Sequence, residues 1–247
     1  MRLATAVPAI VLEKHHRGRE ARTGADWEWW VGSPGAYVGF RVQAKILNAA
    51  SLEYGALYAT RKSALVQVDK LIDNAAKSPR PLFPVYAFYN YWLPSGMYTP
   101  RWTCPRPAAD PTTAGWTLAS AHDIRDHLAS WRCSKKLYDI STVMYPISCL
   151  FCCDCQYGTS DGKGALAQTV AQRVRARWVH DRDANRGVTI HQTAPAYVER
   201  MFKGERADEG WQFLPSALRP RQRQLPWGVS RVLLLRDLGE AGSERRS

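Results

Sequence analysis

A carboxylate, an amide and an ammonium group stand close together in residues 23–47. The segment reads TGADWEWW, breaks at Gly32-Ser33-Pro34-Gly35, and resumes as AYVGFRVQAKIL. Its first half carries Asp26 and Glu28, its second Gln43 and Lys45. A Gly/Pro break between two short runs of aromatic and β-branched residues predicts two strands joined by a tight turn. Side chains alternate along a strand, so residues two apart share a face. Asp26 and Glu28 therefore lie on one face of the first strand, and Gln43 and Lys45 on one face of the second. Phe40, Val42, Ala44 and Ile46 fall on the other face of the second strand and require a core. If the strands pair, the three kinds of polar group converge on one spot. Oxygen donors there suit a hard divalent cation, which can activate a water.

The elements that must hold these groups are predicted at 25–31 and 37–47, after a short strand at 6–14 and a basic loop at 15–22. Leu57, Ala64, Leu65, Val68, Leu71, Ile72 and Ala75 recur at helical spacing and predict a helix within 52–76. Ser78-Pro79-Arg80-Pro81 ends it. LFPVYAFYNYW (82–92) is short, apolar and aromatic, as a buried central strand should be. The order so far is strand, strand, helix, strand.

A Pro/Gly/Thr-rich loop follows over 94–115, then an amphipathic helix over 120–131 capped by Ser120, with Asp123 three residues on. An apolar segment, 139–153, surrounds Pro146, and a polar loop fills 157–164. A basic helix is expected over 164–179 and a short one over 194–203, with Pro195 in its first turn. Segments 213–218 and 228–235 finish the fold, the latter as a strand. The expected architecture is α/β, one domain over 1–239 with its core at about 20–155 and an extension at 156–239, then a disordered tail over 240–247.

Ten Trp and eleven Tyr in 247 residues argue for a sizeable core rather than disorder. The formal net charge is +12. Lys and Arg outnumber Asp and Glu by 12 to 7 in residues 1–100 and by 22 to 15 in 101–247, so the excess is spread rather than gathered in a tail. A basic surface suits a polyanion such as nucleic acid, and equally serves solubility. No apolar run is long enough to span a membrane; the strongest, 229–235, contains Arg231. The apolar stretch near the N-terminus is too short for an export signal, so the cytoplasm is the expected compartment. The six cysteines are then thiols or metal ligands rather than disulfides.

Asp26, followed after a loop by Gln43-Ala44-Lys45 on an apolar strand, resembles the D…(D/E/Q)xK signature of the PD-(D/E)XK nuclease superfamily. The Gln form is similar to the Mrr-like restriction endonucleases, whose motif reads as a GxD strand followed by vQxK. TGADWEWW with GFRVQAK and PVYAFYNYW also resembles a bacterial family without assigned function, over roughly residues 20–155. The superfamily resemblance implies a restriction-endonuclease-like mixed central sheet flanked by helices, and cleavage of phosphodiester bonds with Mg2+ or Mn2+. It implies Asp26 as the main metal ligand, Gln43 as an amide-oxygen ligand, and Lys45 as the group that steadies developing negative charge or positions the attacking water. Gln67, on the following helix, resembles a supporting polar residue of some members. Superfamily members usually carry a Glu on a helix ahead of the Asp strand, and no such helix is evident here. Glu20 or Glu13 would substitute for that carboxylate, or a late start would explain its absence; Glu28 or Glu20 would compensate for the negative charge that Gln43 lacks.

Other signals have plainer readings beside their functional ones. Cys149, Cys152, Cys153 and Cys155 give CxxCCxC, which a zinc site would complete with Cys104 and Cys133 or with His122 and His127. Their apolar neighbours in SCLFCCDC favour buried thiols instead. Arg173, Arg175 and Arg177 can line a phosphate track or make a solvated helix face; residues two apart do not share one helical face. Three functions follow: a nuclease acting on nucleic acid, most often DNA; a decayed nucleic-acid-binding or interaction module on the same fold; and a zinc-stabilised adaptor. The sequence leaves the oligomeric state open, a dimer included.

Overall fold

The computed structural model describes residues 9–15, 22–57, 61–90, 115–131, 133–151, 165–178, 187–196, 198–199 and 229–236. Strands β1 (Ala9–His15), β2 (Trp27–Ser33) and β3 (Ala36–Ile46) come first. Helix α1 (Arg61–Ala76) leads to β4 (Phe83–Tyr89). Then come β5 (Trp116–Ser120), α2 (Ala121–Ala129), the single turn α3 (Leu137–Ile140) and the two-residue β6 (Tyr145–Pro146). Helix α4 (Ala165–Trp178), β7 (Ile190–His191) and β8 (Val229–Arg236) complete the described elements.

They form one eight-stranded mixed sheet in the order β6-β5-β4-β3-β2-β1-β8, with β7 pairing the start of β3 at Tyr37 and Val38. β2 and β3 are a hairpin turned at Pro34-Gly35. Gly32 (φ +146°) and Gly35 (φ +92°) take backbone conformations that L side chains rarely adopt, which is why the break falls there. β3 and β4 are parallel, and α1 makes the crossover such a pair requires. The other strand pairs are antiparallel. The fold is α/β, a mixed central sheet with helices on both faces.

Alternation sorts the core into two layers. Trp29, Phe40, Val42, Val85 and Leu118 pack against α4 through Val170, Val174 and Trp178. Tyr86, Phe88 and Ala119 face α1 and α2 through Val68, Leu71, Ile124 and Leu128. Each buried Val, Leu, Ile or Phe among them contributes about 1.5–3 kcal/mol. β3 is covered on both faces, so its polar residues are interior: Arg41 is 5% exposed, Gln43 3% and Lys45 4%. Buried groups of this kind need partners, and that requirement builds the site.

Several expectations shift. The helix expected within 52–76 starts at Arg61. Before it, Asn48 Oδ1 accepts from the backbone N–H groups of Ala50 and Ser51, Leu52 sits at φ +55°, and Gly55–Leu57 forms one 3-10 turn. Asn48 thus offers the backbone a turn in place of helix. The apolar stretch 139–153 is broken into a helical turn, 3-10 turns and β6, where Pro146 can donate nothing to a ladder. Ile46, assigned to the apolar face of the second strand, is 59% exposed because it is the last residue of β3, at the end of the sheet. Segments 157–164 and 213–218, the tail, and all of 94–115 except Gly115 lie outside the described residues. Among the described residues no helix is long and apolar enough to cross a membrane.

Candidate active site

Asp26 immediately precedes β2. Its backbone N–H donates to the Val42 carbonyl at 2.8 Å, which carries the hairpin ladder one step further and sets Asp26 beside Gln43. The other wall is α1, and Gly24 (φ +67°) lets the chain lie against it. A Cβ at Gly24 would come within 2.9 Å of the Gln67 carbonyl oxygen and 3.1 Å of the Leu71 nitrogen. Gly24 therefore belongs to the site although it was not among the expected site residues. Its signal is a glycine two residues ahead of the aspartate, the GxD of the resemblance.

Four side chains then close into a chain of hydrogen bonds. Lys45 Nζ donates to Gln67 Oε1 at 3.1 Å. Gln67 Nε2 donates to Gln43 Oε1 at 3.1 Å. Gln43 Nε2 donates to Asp26 Oδ2 at 2.5 Å, and the Ala44 N–H reaches the same oxygen at 2.6 Å. Gln43 Nε2 also bonds the Ala44 carbonyl at 3.3 Å. The Lys45 ammonium stands 5.8 Å from the centre of the Tyr86 ring, a cation–π contact in a dry setting. Asp26, Gln43, Lys45 and Gln67 are thus brought together by three elements far apart in sequence: the start of β2, the end of β3 and the middle of α1.

The Asp26 charge is felt by two tyrosines. Burial foremost, then the Asp26 carboxylate, pushes Tyr89 up to about 12 from 10.0. Tyr86 is raised by burial first, then by Asp26 and Asp69. A raised phenol pKa means the neutral form is favoured in the folded state. Its contribution to stability is intact below pH 10 and is lost as pH climbs from 10 to about 12. Asp26→Asn should therefore let Tyr89 ionise at lower pH, though still above 10 because burial remains. The tyrosinate absorbance of each protein, minus that of its Tyr89→Phe counterpart, checks this. An unchanged Tyr89 titration would place the Asp26 charge elsewhere.

The remaining expected residues fall in other places. Glu28 shares the Asp26 face, as alternation requires, but it lies opposite Arg41 in the hairpin register. Its Oε2 is 3.0 Å from Arg41 Nη2, and its Oε1 accepts from Trp30 Nε1 at 2.9 Å. Glu20 is outside the described residues; Glu13, on β1, is at the register position facing Glu28. Cys149 is buried and Cys133 half-buried; Cys104, Cys152, Cys153 and Cys155 are outside the described residues. His127 Nε2 lies 2.7 Å from the Ser134 carbonyl. The arginines of α4 point to separate tasks on the opposite face of the sheet from Lys45. Arg173 is buried and donates to the Cys149 carbonyl, Arg175 donates to the Val188 carbonyl, and Arg177 lies over the Tyr145 ring.

The donors fit a hard cation in kind, since the Asp26 carboxylate and the Gln43 amide oxygen are both oxygen ligands. Among the described residues no three His, Cys, Asp or Glu side chains gather as a metal-holding group, and the side chains linked to Asp26 through the hydrogen-bonded chain are two amides and an ammonium.

Fold and site together define an α/β protein with a part-buried carboxylate–amide–amide–ammonium chain between its central sheet and α1. DUF6615, a family of unknown function, matches residues 1–239, and the chain belongs to that family. No curated protein matches it.

Proposed function

We propose that this protein is a metal-dependent nuclease of the PD-(D/E)XK type that hydrolyses phosphodiester bonds in nucleic acid, DNA foremost. One observation carries the reading: Asp26, Gln43, Lys45 and Gln67 meet in a single hydrogen-bonded chain. Asp26 and the Gln43 oxygen would hold Mg2+ or Mn2+. Such a cation neutralises non-bridging oxygens and lowers the pKa of a bound water. Lys45 donates to the phosphate oxygen on which negative charge develops, or to the water that attacks. Gln67 links Lys45 to Gln43 before a cation binds. The net charge of +12 suits a polyanionic partner, and the free Cys133 suits a reducing compartment such as the cytoplasm.

A second reading, a nucleic-acid-binding module with a decayed site, draws support from the amide at position 43, which supplies no negative charge to the cation. The two separate in one experiment. Purified protein is incubated with duplex DNA, single-stranded DNA and RNA, with Mg2+ or Mn2+ and with chelator, beside Asp26→Asn. Metal-dependent cleavage that Asp26→Asn loses supports the nuclease. Salt-sensitive binding with no cleavage in either metal supports the binding module.

A further inference from the structure

Lys45 and Asp26 fix the two ends of a one-way chain. An ammonium only donates and a carboxylate only accepts, so each amide between them has its orientation set by its neighbours. Gln67 turns its oxygen to Lys45 and its nitrogen to the Gln43 oxygen; Gln43 turns its nitrogen to Asp26. Neither amide can turn alone. Turning Gln67 would set its NH2 against the ammonium and its oxygen against the Gln43 oxygen. Turning Gln43 would set oxygen against the Asp26 carboxylate and NH2 against the Gln67 NH2. The Ala44 N–H on Asp26 Oδ2 keeps the carboxylate from swinging away to relieve the mismatch.

A cation shared by Asp26 and Gln43 needs the amide oxygen of Gln43 where its nitrogen now stands. We infer that Gln67 is a positioning residue that gates cation binding: it holds Gln43 nitrogen-first toward Asp26, and the two amides must turn together before Gln43 can offer oxygen. This rests on the metal-site reading of Asp26 and Gln43. The concerted turn gives up the Lys45–Gln67 bond, because the Gln67 oxygen now meets the Gln43 nitrogen. Lys45 is then directed to an acceptor on the substrate. Cation binding and presentation of the ammonium to a phosphate are thereby one event rather than two.

Gln67→Glu tests the gate. A glutamate at that position has no NH2; it accepts from Lys45 and from Gln43 at once, so Gln43 turns its nitrogen to it and its oxygen toward Asp26. Mn2+ binding is measured by calorimetry on the full chain without nucleic acid. Gln67→Glu should bind Mn2+ about tenfold more tightly than the parent or better, about 1.4 kcal/mol. The new carboxylate can itself attract the ion, so the comparison is repeated in a Gln43→Ala background, where a gain routed through Gln43 disappears. Gln67→Met, which keeps the shape and removes the lock, should also tighten binding and serves if the glutamate variant fails to fold. A gain that persists in the Gln43→Ala background, or no gain in either folded variant, overturns the gate while Asp26-dependent Mn2+ binding leaves the metal site standing. Absence of Asp26-dependent Mn2+ binding in every variant overturns both. Tighter binding through Gln43 without cleavage of any nucleic acid upholds the gate and removes the nuclease.

Discussion

Lys45→Met is expected to lower metal-dependent cleavage by about 100- to 1,000-fold while the protein stays folded. The estimate rests on what removing one preorganised donor to a developing oxyanion costs, roughly 2.7–4 kcal/mol of transition-state stabilisation. Lys45 is only 4% exposed, so its charge acts in a poorly screened setting where such a donor counts for most. Methionine keeps the length and flexibility of the stem. Its loss to stability includes the donor to the half-buried Gln67 Oε1, at most about 1–3 kcal/mol. Against that stands the relief of no longer burying an ammonium. The two offset in part, so circular dichroism should be unchanged and the melting temperature should move by only a few degrees. Initial rates at saturating Mg2+, read beside nucleic-acid binding, make the distinction: rate falls and binding persists. Lys45→Arg should not rescue the rate, because a planar fork does not reproduce a point charge over the Tyr86 ring. Parental cleavage by Lys45→Met would remove Lys45 from the chemistry.

The hairpin, α1 and β4 were readable from the chain because each rests on local rules: a Gly/Pro break, helical spacing and a short apolar run. The alternation rule correctly put Asp26 with Glu28 and Gln43 with Lys45. It could not say what each carboxylate meets, because that depends on the strand register. Trp27 pairs with Val42, and this single alignment gives Asp26 to Gln43 and Glu28 to Arg41. Arg41 stands in the same VGFRVQAK string, but an arginine in a strand reads as solvated until the strand is known to be covered on both faces. Gln67 was suggested only by resemblance; by pattern it is one more polar residue of an amphipathic helix. Its contact with Lys45 needs the parallel crossover and the close approach allowed by Gly24, neither a local property. The same limit hid the pairing of β1 with β8, which joins Ile10 to Leu235 across nearly the whole chain. For α4, spacing of two already argued that the arginines do not share a face. The structure adds that Arg173 points into the interior.

Arg41→Met should be the costliest single change near the site, lowering stability by about 3–5 kcal/mol and the melting temperature by roughly 6–20 °C. The reason is asymmetric. As a pair, Glu28 and Arg41 balance their desolvation against a 3.0 Å contact with both side chains only 6% exposed. Removing the guanidinium takes a 3.0 Å counter-ion away from a carboxylate in the interior, and the charge left behind is the penalty. Replacing both, as Glu28→Leu with Arg41→Met, should recover most of the loss, short of about 1–3 kcal/mol because Trp30 Nε1 then loses the oxygen it donates to. Thermal melts of the two single variants and the double variant measure this directly. Near-equal losses in the Arg41 single and the double would show that the charge left behind is not the cause. The cycle also decides what Glu28 is for. A carboxylate committed to Arg41 and Trp30 holds the two strands in the register that delivers Asp26 to Gln43, and it does so without touching a cation. Glu28→Gln keeps the Trp30 bond and should leave Mn2+ affinity at the parental value, where Asp26→Asn abolishes it. Mn2+ affinity that falls in step with the Glu28 charge would instead put this carboxylate in the metal site and dissolve its assignment to Arg41.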